Sequence, residues 1–403
     1  MLTHTRNWIM AGTLGLLVAC GGGGGGNSAP GVEPGPPPPG QPIPPAPIPP
    51  APAVTPYVDA TVLNAYITSA SLNGDNQPVI EFQLSDENNV AINDLTSGDV
   101  RFVVSKLTPS DQGNLTGSWQ AYVNVVAVPE YGPGTEPALQ ANYERDDGNH
   151  SFGEFTNNGD GTYSYQYATS LTNLPQDVLD QAELEGLDLS YDPNLTLRVA
   201  IQFDNNDAGG WANPNYDWVP ATGETTPDVF AMDIAATANC NRCHDPLAIH
   251  GSGRREVKYC VTCHNPGSVD HDSTNTVDMK VMIHKIHMGA NLPSVQAGEP
   301  YYIVGFRGSV HDYSDVRFPQ DIRNCVNCHA GSETGNGLQY PDGTEYSLTL
   351  TSQGDNWDQY PSQAACGSCH DDLDFSTHAR GQTDDSKCAG CHSEGGFAGS
   401  IQS

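Results

Sequence analysis

The chain has 403 residues and carries 48 acidic against 16 basic side chains, a formal net charge of −32. Contacts to phosphate need lysine and arginine, so this balance excludes a nucleic-acid-binding protein. The acidity is typical of solubility or of a saline habitat, and steering towards cationic partners or oxide surfaces is the alternative.

Residues 1–19 have the features of an export signal, with Arg6 ahead of an apolar run that is too short to span a bilayer. The sequence LVAC at 17–20 is similar to a bacterial lipobox, which predicts cleavage before Cys20 and lipidation of its thiol. An ordinary signal peptide is the alternative. Gly21, in place of the Asp associated with inner-membrane retention, favours an outer-membrane lipoprotein at the cell surface. The periplasmic face stays open as an alternative.

Six glycines at 21–26 and a proline-rich run to about Pro56 follow the cysteine. This composition buries no core and is expected to stay extended. At about 3.1 Å per residue, ~25 residues of polyproline II reach roughly 80 Å. We therefore predict a flexible linker over 20–56 that holds the folded part away from the lipid.

Residues 57–235 contain several short runs in which apolar and polar side chains alternate, a pattern typical of strands with one buried face. The apolar members of three such runs are Ile80, Phe82 and Leu84; Tyr163, Tyr165 and Tyr167; and Leu195, Leu197, Val199 and Ile201. We interpret the tyrosines as a packed strand face and not as a redox relay. The pattern predicts a mainly β domain, a Greek-key sandwich or barrel, with one short helix near 174–186.

Five Cys-x-x-Cys-His motifs lie in residues 236–403 and take ten of the eleven cysteines. In this motif two thiols bond the porphyrin vinyl groups, and the adjacent histidine binds the iron, as in c-type cytochromes. The predicted attachment cysteines are Cys240, Cys243, Cys260, Cys263, Cys325, Cys328, Cys366, Cys369, Cys388 and Cys391, and the proximal histidines are His244, His264, His329, His370 and His392. We expect five covalently bound c-type haems in a domain of short helices and little regular structure, because the porphyrins supply most of its buried apolar surface.

Structural zinc and a disulfide framework are the two alternatives for these cysteines. Zinc takes two Cys pairs for each tetrahedral site, so five pairs leave one without a partner. Neither alternative explains why a histidine follows the second cysteine every time.

A second histidine on each iron needs five further side chains, and the region offers six. These are His250, His271, His284, His287, His311 and His378. His284 and His287 lie three residues apart in a predicted short helix, 278–289, so one helix face is expected to serve two adjacent haems. His271 stands in a polar run and is the expected surplus, which leaves His250, His284, His287, His311 and His378 as distal ligands. Met282 and Met288 are less favoured alternatives.

Three stretches of the chain resemble the OmcA/MtrC family of outer-membrane decahaem cytochromes. They read CNRCHDPLAIHGSGRREVKYCVTCHNPGS from Cys240, DMKVMIHKIHMG from Asp278 and FPQDIRNCVNCH from Phe318. The resemblance implies the same five distal histidines. Family members repeat a β-plus-pentahaem unit, whereas this chain has one such unit, so we expect a short natural variant or an incomplete gene product.

The motifs and the resemblance together predict an electron-transfer lipoprotein that passes electrons through five bis-His haems. The resemblance implies extracellular acceptors such as metal oxides or flavins, and a periplasmic or porin-associated cytochrome as redox partner. An electron carrier is favoured over a bond-making enzyme, although Fe(III) reductase activity fits both descriptions. The alternative is a nitrite or sulfur-oxyanion reductase with one open haem site, and a β half that serves for adhesion or docking is a third hypothesis.

Overall fold

The computed structural model describes residues 54–110, 113–145, 153–225, 232–339, 342–378 and 384–392. The predicted export signal, the lipidation site Cys20 and all but the end of the predicted linker lie outside these residues. We call residues 57–235 the β half and residues 236–403 the motif half. The described residues of both halves belong to one compact unit that begins at Pro52.

Ten strands and one α-helix are described in the β half. The strands are β1 Asn64–Leu72, β2 Pro78–Ser85, β3 Val100–Ser110, β4 Gly113–Ala121, β5 Asn124–Ala127, β6 Ala138–Ala141, β7 Glu154–Asn157, β8 Thr162–Gln166, β9 Leu197–Phe203 and β10 Asn215–Trp218, and the helix is α1 Gln176–Leu184. Two antiparallel four-stranded sheets have the orders β1-β2-β8-β7 and β10-β9-β3-β4, and β5 pairs with β6. The predicted β-sandwich is confirmed, and the predicted helix near 174–186 is α1.

The two sheets enclose one apolar core, which explains the alternation of the sequence. Ile80, Phe82 and Leu84 of β2 are buried in it, while Glu81 and Gln83 between them are exposed. The three tyrosines at 163, 165 and 167 are also buried. Their hydroxyls donate to the carbonyl of Ile92, the carboxylate of Glu144 and the carbonyl of Val103, at 2.6, 2.8 and 2.8 Å. Since each hydroxyl has a partner inside the core, these side chains pack as structural residues.

Strand β9 departs from the prediction of one buried face, because all seven of its residues are buried. Leu197, Val199, Ile201 and Phe203 join the sandwich core, and Ala200 on the opposite face packs against Tyr259 of the motif half. The alternation correctly located the strand. It gave the wrong environment for the second face, because the covering residues come from 59 positions further along the chain.

The described part of the motif half consists of short helices and one hairpin among irregular segments. Its helices are α2 Thr237–Cys240, α3 Val257–Cys260, α4 Met279–Met288, α5 Pro293–Gln296, α6 Asn356–Gln359, α7 Gln363–Cys369 and α8 Cys388–His392, and its hairpin joins β11 Tyr302–Gly305 to β12 Ser309–Asp312. Helix α4 confirms the helix predicted over 278–289. The carboxylate of Asp278 caps its N-terminus by accepting from Lys280 N at 3.1 Å, and Gly289 ends it with a positive φ of 45°. No helix among the described residues is long and apolar enough to cross a membrane.

Buried polar groups join the two halves. Arg198 of β9 forms a two-pronged ion pair with Asp217, at 2.7 and 2.6 Å, and also donates to the carbonyl of Lys258 at 3.1 Å. Asp272 of the motif half accepts from the backbone nitrogens of Glu130 and Tyr131, both at 2.6 Å. The Arg198 contact joins the sheet β10-β9-β3-β4 to the motif half, and the Asp272 contacts join the loop between β5 and β6 to it.

Candidate haem-binding site

The motifs share one local geometry. In the first four, the backbone nitrogen of the histidine donates to the carbonyl of the first cysteine, at 3.0, 2.9, 2.9 and 3.0 Å in chain order. Each motif therefore forms a helical turn, and its two cysteines stand three residues apart on the same side of that turn. This is the arrangement that presents two thiols and an imidazole to one planar group.

Four motif histidines face a second histidine ring. The ring centroids are 6.1 Å apart for His244 and His287, 5.9 Å for His250 and His264, 6.0 Å for His284 and His329, and 6.0 Å for His378 and His392. Two metal–nitrogen bonds of about 2 Å each, with the half-ring beyond each nitrogen, span roughly 6 Å. The four gaps therefore have the width that a six-coordinate metal between two imidazoles requires.

Backbone carbonyls orient three of these rings. Nδ1 of His264 lies 2.8 Å from the carbonyl of Val277, Nδ1 of His287 lies 2.8 Å from that of Ile283, and Nδ1 of His329 lies 3.4 Å from that of Ile234. A carbonyl only accepts, so each Nδ1 carries the proton and leaves the lone pair on Nε2. This tautomer and this outer hydrogen bond are those of a histidine that binds a metal through Nε2.

Four of the paired histidines are neutral at physiological pH; His264, His284 and His329 are half-buried, and His250 is more exposed. Burial lowers the pKa of His250 to about 3 and that of His284 to about 4, and it also lowers the pKa of His264 and His329. Because a metal binds the neutral imidazole, burial has already removed the competing proton.

Nine of the ten motif thiols are half-buried and Cys243 is exposed. Burial raises the pKa of Cys240 and Cys325 to about 11 and that of Cys260 to about 12, which opposes a nucleophilic thiolate at these positions. None of the ten motif cysteines is in a disulfide. Within the described ranges, no three His, Cys, Asp or Glu side chains are grouped to hold a metal ion by themselves. The disulfide and zinc alternatives therefore find no geometric support in this part of the chain.

One cavity of about 540 Å³ lies beside the first three motifs and helix α4. Its wall includes Cys240, Cys243 and Cys328, the ring pairs His244–His287 and His284–His329, and the apolar side chains of Ile283, Val261 and Phe318. The cavity brings motif thiols, facing imidazoles and apolar walls to the same place, so these residues fit a haem.

The fourth motif differs from the other four. His370 and His311 are exposed, and among the described residues neither ring faces the other or another histidine. The imidazole of His311, on β12, lies 3.2 Å from the hydroxyl of Ser309. His271, the expected surplus, pairs at 3.6 Å with Asp272 and faces none of the motif histidines. The structure therefore brings four of the five predicted distal histidines to a motif histidine.

Polar residues around these gaps were not predicted. Arg254 and Arg101 lie near the His250–His264 pair. Burial is the largest cause that lowers the pKa of His250, followed by the charges of Arg254, His264 and Arg101 in that order. The sequence places Arg254 in the same short loop as His250, which is a weak signal. Arg101 lies on β3, some 150 residues earlier, and no local pattern points to it.

Comparisons with known proteins agree with this geometry. Residues 232–402 match the family described as outer membrane cytochrome MtrC/MtrF-like, domains II/IV, and residues 64–225 match the OmcA-like N-terminal domain. The multiheme cytochrome MtrC of Shewanella baltica (strain OS185) is 26% identical over 327 residues, which cover 78% of this chain and 38% of that protein.

Two solved structures share the architecture. The crystal structure of the outer membrane decaheme cytochrome OmcA matches with a TM-score of 0.65 and 27% identity, over 85% of this chain and 48% of that one. The crystal structure of MtrC from Shewanella baltica OS185 matches with a TM-score of 0.53, 23% identity, and coverage of 82% and 43%, and it supports the fold alone. The chain spans less than half the length of each of these relatives.

A β-sandwich joined to a region of Cys-x-x-Cys-His turns is the architecture of a multihaem c-type cytochrome, the class of protein that carries covalently attached haems. The two family matches and the named relatives together support an OmcA/MtrC-like multihaem cytochrome, and the relative OmcA is described as an outer membrane protein.

Proposed function

We propose that this protein is an outer-membrane lipoprotein that carries electrons through five bis-His c-type haems to extracellular acceptors, such as metal oxides or flavins. The observation that supports it most strongly is the set of four histidine pairs at 5.9 to 6.1 Å, each containing one motif histidine. When bound, haem supplies one-electron chemistry between the ferric and ferrous states. Imidazoles on both sides leave the iron no open position, so no bond-making step is needed.

The proposed ligand pairs follow from the ring contacts. They are His244 with His287, His264 with His250, His329 with His284, and His392 with His378. His311 remains for His370. Lys285 supports this last pair, because its ammonium binds Asp371, next to His370, at 2.8 Å and lies 5.2 Å from the ring of Tyr301, next to strand β11. The hairpin of His311 and the fourth motif therefore share one neighbour.

Contacts between motifs support one spatial order. Thr237, at the start of the first motif helix, accepts from Val257 N of the second at 2.9 Å. Asn239 of the first motif region donates to the carbonyl of Cys328 in the third at 3.3 Å. The Cys325 thiol of the third lies near those of Cys366 and Cys369 in the fourth.

The fifth motif is next to the fourth, since Gln363 N donates to the Asp385 carboxylate at 3.0 Å. The order second, first, third, fourth, fifth is the one we propose for electron passage. We also propose the division into a signal at 1–19, a linker at 20–56, a β domain at 57–235 and a pentahaem domain at 236–403. A periplasmic or porin-associated cytochrome is the proposed donor, and lipid on Cys20 the proposed anchor.

Mass spectrometry and low-temperature EPR of the protein purified from its membrane test the proposal. We expect five haems, all low-spin, and lipid on Cys20. His287→Ala is expected to make one haem high-spin and able to bind carbon monoxide, because it removes one of the two imidazoles in a described pair. His271→Ala is the matched control, since His271 faces no motif histidine, and it is expected to leave the spectrum unchanged. A parent protein with fewer than five haems, or with mostly five-coordinate iron, contradicts the proposal.

The fourth motif gives a specific reason to keep the second candidate, a reductase with an open haem site. His311 and His370 are not in ring contact among the described residues, unlike the other four pairs. Carbon monoxide binding to the reduced parent protein separates the two functions. Binding by one haem that His311→Ala does not increase favours the reductase, whereas no binding in the parent and binding in His311→Ala favours the electron carrier.

A further inference from the structure

A closed loop in the motif half carries both His250 and Arg254. Ile249 and Arg254 exchange two backbone hydrogen bonds, at 3.0 and 3.3 Å, and so close the loop at its base. At the tip, His250, Gly251 and Ser252 have positive φ values of 53°, 74° and 72°. The backbone of Arg254 is therefore held close to that of the proposed distal ligand His250.

The β half anchors this arginine. Nε of Arg254 donates to Oε1 of the buried Gln202 at 2.7 Å, and Nε2 of Gln202 donates to Asp204 at 2.6 Å. Asp204 in turn pairs with Arg101 at 2.5 Å. The Arg254 guanidinium lies 5.8 Å from the ring centroids of both Tyr143 and Tyr259, and Tyr259 directly precedes the second motif. In this series of contacts Asp204 lies between the two arginines and pairs directly with Arg101.

Most N–H donors of the Arg254 guanidinium have no hydrogen-bond partner among the described residues. Arginine carries five N–H donors, and the bond to Gln202 is the hydrogen bond that Arg254 makes through its side chain with the described residues. A cation held against a protein interior needs an anionic partner.

We propose that Arg254 binds a carboxylate of the haem held between His250 and His264 and raises the reduction potential of that haem. This inference rests on the proposed function. The planar fork of arginine matches a carboxylate with two parallel hydrogen bonds. Ferric haem carries one positive charge more than ferrous haem, so a nearby cation disfavours the ferric state. Through Gln202, the β half thus tunes one haem of the motif half.

Redox titration of the purified, fully loaded protein, followed by haem absorbance, tests the inference. In Arg254→Gln, we expect about one fifth of the haem absorbance change to move to a lower potential, because one motif of five is affected. The rest of the titration curve is expected to stay unchanged. Arg254→Lys keeps the charge and is expected to keep most of the shift. Arg255→Gln is the matched control. It removes the same charge one residue later, where the guanidinium lies 4.9 Å from the ring of Trp211 and binds the carbonyl of Ser252 at 2.8 Å.

The inference is overturned if Arg254→Gln titrates like the parent protein, or if Arg255→Gln shifts a component equally. Should Arg254→Gln lose haem, peptide mapping decides: loss at Cys260 and Cys263 alone supports carboxylate binding there, and loss at all motifs contradicts a local role. A parent with five low-spin haems and an unshifted variant removes this inference but not the proposed function. A parent that lacks the haems removes both.

Discussion

The β half encloses an apolar core made of its own side chains, whereas the described part of the motif half does not. Of the 40 apolar side chains buried in the described residues, only six belong to the motif half: Tyr259, Leu292, Tyr301, Val304, Val326 and Ala330. The other 34 lie in the β half, most of them in the single cluster between the two sheets. A sandwich with this core gains its stability from side-chain burial. The motif half has too few buried apolar side chains to do the same, and the bound haems are its expected source of buried surface.

The largest expected effect comes from withholding haem. In protein made without haem attachment, we predict that the motif half loses its amide protection from hydrogen exchange, while strands β2, β3, β8 and β9 keep theirs, because the sandwich core needs no haem. Hydrogen exchange followed by mass spectrometry measures the amide protection of both halves in one experiment, and the haem-loaded protein is the control. Equal protection of residues 257–288 in the two preparations contradicts the contrast between the halves.

A smaller effect is expected where the two halves meet. Arg198→Met leaves the Asp217 carboxylate without its two-pronged partner and removes the donor to Lys258. Breaking one side of a buried ion pair costs about 3–5 kcal/mol, and we expect that loss in the free energy of urea unfolding. Arg323→Met breaks an exposed pair with Asp321 and serves as the control that leaves stability unchanged. If both variants unfold like the parent, Arg198 does not hold the halves together.

The smallest predicted effect is local and depends on pH. Burial raises the pKa of the Asp355 carboxyl, but hydrogen bonds from Thr334 and from the backbone of Glu333 outweigh it and lower the pKa below its ordinary value of 3.8. A lowered folded-state pKa stabilises the fold above the ordinary value, and this contribution is lost as the pH falls through the folded-state pKa. Asp355→Asn is expected to cost about 2 kcal/mol at neutral pH.

Denaturation of the parent and Asp355→Asn at several pH values checks this prediction. The difference between them is expected to shrink as the pH falls below 3.8, because the unfolded parent chain takes up the Asp355 proton there before the folded chain does. Asp342→Asn removes a carboxylate from an exposed turn and is the control. A stability difference that is independent of pH assigns the effect to the shape of the side chain and not to its charge.

Local patterns in the sequence predicted the strands β2, β8 and β9, and the helices α1 and α4. The three strands place their apolar side chains at a spacing that the neighbouring residues alone define. The same holds for the helical turns at the motifs, where Cys-x-x-Cys-His leaves little freedom. The sequence was less informative about strand β9, whose second face is covered by residues near Tyr259.

Spacing along the chain, composition and the count of histidines were enough to determine a multihaem class, a β-sandwich and the pool of candidate ligands. Tertiary structure alone decided that His287 faces His244 while His284 faces His329. It also decided that Arg254, in the loop of His250, donates a hydrogen bond to Gln202. The physical reason is the separation along the chain of the residues that determine each feature. Hydrophobic period and motif chemistry act between neighbours in the chain, whereas a ring-to-ring distance or a buried charge depends on segments that only folding brings together.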